Sequence, residues 1–236
     1  MQESRQWPAA AIFDMDGVLI DSNPFHLRKW ADFLRLRGIS FREAELPDMI
    51  LGKRNDTLII HFFGPGVTPE QSRQMSETVE AMFREAFRPH VKPLPGLECF
   101  IQQLHTAGVP MAVASSAICK NIEFVVDALD YRKYFRHIVS GDEVMRPKPD
   151  PEIYLKAAAK LNVEPGRAVA FEDSPPGIEA VVRAGMKCVA IGSTFPMEKL
   201  RTTRAHLMAR SFEDLSLVRL RALFNTFGNS PSPENG

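Results

Sequence analysis

Short uncharged runs recur along this chain, and stretches of helical spacing separate them. Ala9-Ala10-Ala11-Ile12-Phe13, Pro110-Met111-Ala112-Val113-Ala114, Ala168-Val169-Ala170-Phe171 and Cys188-Val189-Ala190-Ile191 have no polar face. Runs of that length without alternation fit strands buried on both sides. His137-Ile138-Val139-Ser140 is a weaker candidate of the same kind. Between the runs, apolar residues return every three or four positions. Leu97, Phe100, Ile101 and Leu104 predict a helix ended by Gly108, and Ile118, Ile122, Val125, Val126 and Leu129 predict another. A third is capped by Asp150-Pro151 and runs through Leu161. A fourth starts at Ser174, carries Ile178, Val181 and Ala184, and ends at Gly185. Strand and helix in alternation predict an α/β fold: a Rossmann-like parallel sheet with helices on both faces.

The stretch after the first run breaks this rhythm. Leu27, Trp30, Ala31 and Leu34 recur at helical spacing before Gly38, and Thr68-Pro69-Glu70-Gln71 reads as a capping box with proline in the first turn. Met75, Val79, Met82, Phe83 and Ala86 form an apolar stripe beyond it, read as helix core and not as a ligand-binding stripe. No strand-like run lies between Pro24 and His90. The expected organisation is therefore an α/β core from residues 1–21 and 93–228, interrupted by a helical domain over 22–92. Residues 229–236, made of Ser, Pro, Asn, Gly and Glu, are expected to be a disordered tail.

Lys+Arg and Asp+Glu both number 29, so the formal net charge is zero. A general nucleic-acid binder needs a basic surface, and this balance argues against one. Met1-Gln2-Glu3-Ser4-Arg5-Gln6-Trp7 has no apolar signal core, and no run is long enough to span a bilayer. Cys99, Cys119 and Cys188 are scattered, as reduced packing residues are. The expectation is a cytoplasmic protein, monomeric or weakly dimeric, with neither membrane nor nucleic-acid partner. Neither G-x-x-x-x-G-K-[ST] nor G-x-G-x-x-G occurs, which removes the usual nucleotide-binding readings.

Chemistry-bearing residues stand where the apolar runs end, and ligands bind at the carboxyl ends of strands in open α/β sheets. Asp14 and Asp16 follow the first run; two apart in extended chain, they point the same way. Crowded carboxylates are unfavourable unless a cation or proton relieves them, and Mg²⁺ suits carboxylate oxygens plus water and phosphate. Ser115-Ser116 follows the second run, where hydroxyls and free amides at a helix start suit a phosphate, or simply cap the helix. Lys148 lies between Pro147 and Pro149 on a stiffened segment, aimed at an anion or merely exposed. Glu172-Asp173 closes another run: two metal ligands, or one ligand and one cap.

In this order, these residues resemble the haloacid dehalogenase superfamily, in the branch that includes β-phosphoglucomutase and small sugar-phosphate phosphatases. The likeness covers almost the whole chain. It rests on Asp14-Met15-Asp16-Gly17-Val18-Leu19-Ile20-Asp21-Ser22, Ser115, Lys148, and Glu172-Asp173-Ser174 followed by Gly177. The resemblance implies that Asp14 attacks phosphorus and forms an aspartyl-phosphate, while Asp16 serves as general acid and base. It implies Mg²⁺ held by Asp14, the Asp16 carbonyl, Asp173 and Glu172, with Ser115, Ser116 and Lys148 on the phosphoryl oxygens. The inserted helices become a mobile cap, where His26, Gly52, Lys53 and Arg54 are the candidate substrate contacts.

Two features narrow the activity. Superfamily dehalogenases lack the second acid, so Asp16 argues against dehalogenation. The mutases place a lysine on a later cap helix, where the best alignment here puts Val79. The expected function is Mg²⁺-dependent hydrolysis of a small phosphorylated metabolite, in particular a sugar phosphate. The alternative is β-phosphoglucomutase chemistry with the same residues. A receiver-domain reading shares the phosphate-accepting aspartate and the lysine but explains neither the inserted helices nor Asp16.

Overall fold

The computed structural model describes residues 8–51 and 53–225. Gly52 and the expected tail over 229–236 lie outside the described residues. The elements alternate as anticipated. In chain order they are β1 (Ala10–Phe13), α1 (Asn23–Leu36), α2 (Leu46–Ile50), α3 (Asn55–Phe63), α4 (Pro69–Phe87), α5 (Leu97–Thr106) and β2 (Met111–Ala114). There follow α6 (Cys119–Ala128), β3 (Phe135–Val139), α7 (Glu152–Lys160), β4 (Ala168–Glu172), α8 (Pro175–Arg183) and β5 (Lys187–Ile191). Last come α9 (Met197–Leu200), β6 (Leu207–Ala209) and α10 (Leu217–Asn225).

All strand pairings are parallel, in the order β3-β2-β1-β4-β5-β6. The order reverses between β1 and β4, and the crevice at such a reversal is where ligands bind in open α/β sheets. Side chains alternate across each strand, and here that alternation sorts them by size. Phe13, Val113, Val169, Phe171, Val189 and Ile191 face α5, α6 and α10. Alanines 10, 112, 114, 168, 170 and 190, with Ile12 and Cys188, face α7 and α8. Phe13 stacks on Phe171 with ring centroids 4.6 Å apart, which locks β1 to β4 beside the reversal point.

Helices α1 to α4 form a separate apolar cluster around Trp30, Phe33, Leu34, Ile59 and Val79. Thr68 accepts from the Gln71 amide while the Gln71 side chain accepts from the Thr68 amide, so both halves of the expected capping box form. Outgoing and returning chain run side by side: Ile20 bridges antiparallel to Pro93, and the Leu94 amide donates to the Leu19 carbonyl at 3.0 Å. Among the described residues, no helix is long and apolar enough to cross a membrane.

Candidate active site

Asp14 leaves β1 at the reversal point, its amide donating to the Phe171 carbonyl of β4 at 3.1 Å. The turn that follows has Gly17 at φ 75°, a left-handed conformation that side chains disfavour. A Cβ there would also stand 2.0 Å from Asp173 Oδ2. Glycine at this position therefore lets the first acidic turn close against the acid of β4.

Lys148 reaches in from the loop after β3. Its Nζ stands 2.6 Å from Glu172 Oε1 and 3.0 Å from Asp14 Oδ1. Lys148 meets this Asp14 oxygen as an ion pair, and no other donor reaches it among the described residues. Glu172 is the opposite case. Oε1 accepts from Lys148 and from the Tyr154 hydroxyl at 2.8 Å; Oε2 accepts from the amides of Asp173 and Ser174 and from the Ser174 hydroxyl. With five donors and no solvent exposure, Glu172 is an anchor for Lys148 and for the start of α8.

Asp14, Glu172 and Asp173 each bring a carboxylate oxygen within 4.8 Å of the others. Burial, together with Glu172 and Asp16 and against Lys148, raises the Asp14 carboxyl to about 7. Burial and the charges of Glu172 and Asp14 push Asp173 well up. Burial also disfavours ionised Glu172, but Lys148 and its other donors hold that group below its ordinary value. A nest of three buried carboxylates facing a single ammonium keeps an excess of negative charge, which suits a hard divalent cation. Because Glu172 is saturated, the oxygens free to meet one are those of Asp14 and Asp173.

Asp16 turns away from this cluster. Ser22 donates to its Oδ1, and His26 Nε2 lies 3.0 Å from the same atom. Burial would raise the Asp16 carboxyl, but His26 and Ser22 outweigh it and hold the group low. His26 comes from α1 and stacks on Phe83 of α4 at 4.1 Å. The helical insertion thus contributes directly to the acid two residues beyond Asp14.

A cavity of about 880 Å³ opens over these groups. Asp14, Asp16, His26, Lys53, Arg54, Ser115, Ser116, Lys148 and Asp173 line it; fully buried Glu172 stands behind. Arg54 is already engaged, 3.1 Å from Asp56 and donating to the carbonyls of Gly141 at 3.2 Å and Val144 at 3.5 Å. The serine pair differs from expectation in one respect. Helix α6 begins at Cys119, not directly after Ser116, and its first amide donates to Asp142. Ser115 Oγ instead accepts from the Ala117 amide. The helix expected to be capped by Asp150-Pro151 begins at Glu152, whose amide donates to Asp150 Oδ1 at 3.0 Å.

Sequence reasoning did not single out Tyr154, Asn23 or Thr194. Tyr154 is fully buried, its hydroxyl on Glu172 and its ring 5.0 Å from the Lys148 ammonium. Asn23 donates to Thr194 at 2.6 Å and approaches Asp173 at 3.5 Å. A tyrosine on an apolar helix face carries no signal of such a role before the helix is placed.

The model of the family described as haloacid dehalogenase-like hydrolase matches residues 11–191. The chain belongs to this family. It is 32% identical over 225 residues to the chloroplastic 5-amino-6-(5-phospho-D-ribitylamino)uracil phosphatase of Arabidopsis thaliana; that match takes in 95% of this chain and 60% of the relative. It is 33% identical to hexitol phosphatase B of Escherichia coli K12 over 88% of this chain and 94% of that one. The crystal structure of β-phosphoglucomutase from Clostridium difficile superposes with a TM-score of 0.81 at 25% identity, covering 92% and 97% of the two chains. The fold is that of the β-phosphoglucomutase-like members, and the chain is an enzyme of this phosphoryl-transferring group.

Proposed function

We propose that this enzyme hydrolyses the phosphate ester of a small phosphorylated sugar or polyol, using Mg²⁺ and an aspartyl-phosphate formed on Asp14. The observation that carries this reading is the convergence of Asp14, Asp173 and Lys148 on one spot at the sheet's reversal point, with Asp16 held beside it by groups from the insertion. The relatives named as phosphatases supply the substrate class.

Asp14 is the nucleophile, splitting one hard displacement into two easier ones. Asp16 protonates the departing alkoxide and later takes the proton from water; His26 and Ser22 fix its carboxyl for that exchange. Lys148, held by Glu172 and lying over the Tyr154 ring, stands where it meets the phosphoryl oxygens, together with Ser115 and Ser116. Asp14, Asp173 and the Asp16 carbonyl would hold the cation, with Glu172 as their buried support. When bound, Mg²⁺ neutralises charge on the phosphoryl group and keeps neighbouring carboxylates ionised. Residues 22–92 act as a cap over the core of 1–21 and 93–228, excluding bulk water and choosing the substrate. His26, Lys53 and Arg54, which line the cavity, are its candidate contacts.

The mutase reading shares every catalytic residue, and the superposed mutase keeps it in view. Val79 favours hydrolysis. It is fully buried in the core of the inserted helices, so the position aligned with the mutase lysine presents no cation to a second phosphate. A phosphate-release screen over sugar phosphates, phosphoglycolate, nucleotides and pyrophosphate, with and without EDTA, tests the proposal. Release from a sugar phosphate, lost in EDTA and restored by Mg²⁺, is the expected result. Conversion of β-glucose 1-phosphate to glucose 6-phosphate without free phosphate would replace hydrolase by mutase.

A further inference from the structure

The inserted helices meet the core a second time, on the wall of the same cavity, through a buried polar knot. Asn121, in the first turn of α6, is 1% exposed. Its amide is held at both ends from α4: Nδ2 donates to Glu80 Oε2, and Oδ1 accepts from Arg84 Nη1 at 2.6 Å. Glu80 and Arg84 are four residues apart and so lie on one face of their helix. Glu80 also accepts from Asn55 at the start of α3 and pairs with Lys29 of α1 at 3.1 Å. Lys29 and Glu80 are themselves nearly free of solvent. A buried ion pair adds little net stability compared with apolar packing, but its directional bonds specify one geometry.

The knot is linked to the catalytic acid. Lys29 lies over the Phe83 ring at 4.8 Å, and His26 stacks on that ring on its way to Asp16. On the core side, Asn121 sits on the helix fed by the Ser115-Ser116 loop. Apolar contact between the two bodies would tolerate sliding. An amide that must meet an acceptor and a donor together does not.

We propose that Asn121 is a positioning residue. Gripped by Glu80 and Arg84, its amide sets the register in which the inserted helices close on the core, and so delivers His26 to Asp16. This rests on the phosphatase reading of the site. Asn121→Leu keeps the volume and removes both bonds. In small-angle scattering with Mg²⁺ and orthovanadate its radius of gyration rises above that of the wild type. Its kcat/KM on a sugar phosphate, whose alkoxide needs protonation in a closed site, falls about 10- to 100-fold. Its kcat/KM on p-nitrophenyl phosphate, which reports only phosphoryl transfer to Asp14 and whose leaving group needs no proton, stays within about twofold. Arg84→Met reproduces the pattern, and the double variant is no worse than either single one. An unchanged radius, equal losses on both esters, or additive losses would overturn the proposal. If Asn121→Leu does not fold, Arg84→Met carries the same comparison. If the wild type releases phosphate from no ester, the phosphatase reading fails and the scattering comparison alone decides the clasp.

Discussion

Glu172 and Asp173 are neighbours in sequence, both buried, and electrostatically opposite. Glu172 has five donors and is held low; Asp173 faces two carboxylates and is pushed up. Their adjacency was legible in the sequence, but which one the protein satisfies internally was not. That depends on Lys148 and Tyr154 arriving from elsewhere in the chain. The same contrast predicts how pH acts on the metal-free protein. Burial raises Asp14 from 3.8 to about 7, so the folded state binds that proton more tightly than the unfolded chain does. The resulting stability is fully present below the unfolded value and is lost as pH rises through about 7. In EDTA the melting temperature should fall between about pH 4 and pH 7, and Mg²⁺ should remove the fall. Asp14→Asn should show a smaller fall, since only Asp173 then titrates upward; an identical fall would mean that Asp14 is not displaced. The same variant should lose turnover by more than about 1,000-fold with an unchanged circular dichroism spectrum, as a missing nucleophile requires.

At the scale of elements, the apolar runs marked β1, β2, β4 and β5 because strands buried on both faces need no alternation. β3 was fainter, since Arg136 and His137 interrupt it. β6 has only three residues, two of them partly exposed at the sheet edge, and drew no notice. The helix termini give predictions that separate stability from catalysis. Thr68→Ala removes one half of a capping box at a residue that does not itself line the cavity, so it should cost about 1 kcal/mol in denaturant unfolding with turnover unchanged. Gly177→Ala is a different matter. A Cβ there would lie 1.7 Å from Glu172 Oε1, the oxygen that holds Lys148. It should lower stability by about 1–3 kcal/mol and reduce kcat more strongly than it raises KM. A Gly177→Ala enzyme with wild-type kcat would contradict the anchoring role of Glu172.

For the molecule as a whole, the sequence led to an expected two-part layout because one stretch lacks strand-like runs, and α1 to α4 gather around an apolar cluster of their own. It did not carry the way the parts join. The bridge between Ile20 and Pro93, the His26–Asp16 contact and the Arg54 bonds to Gly141 and Val144 all depend on long-range packing. The account makes the acid of β1 the covalent centre of this arrangement, with the insertion serving its neighbour Asp16. The most direct measurement is borohydride trapping during turnover with Mg²⁺ and a hydrolysed sugar phosphate, followed by peptide mass spectrometry. An aspartyl-phosphate is reduced to homoserine, and the account predicts that conversion at residue 14. Reduction at another carboxylate, or none during steady phosphate release, would contradict it.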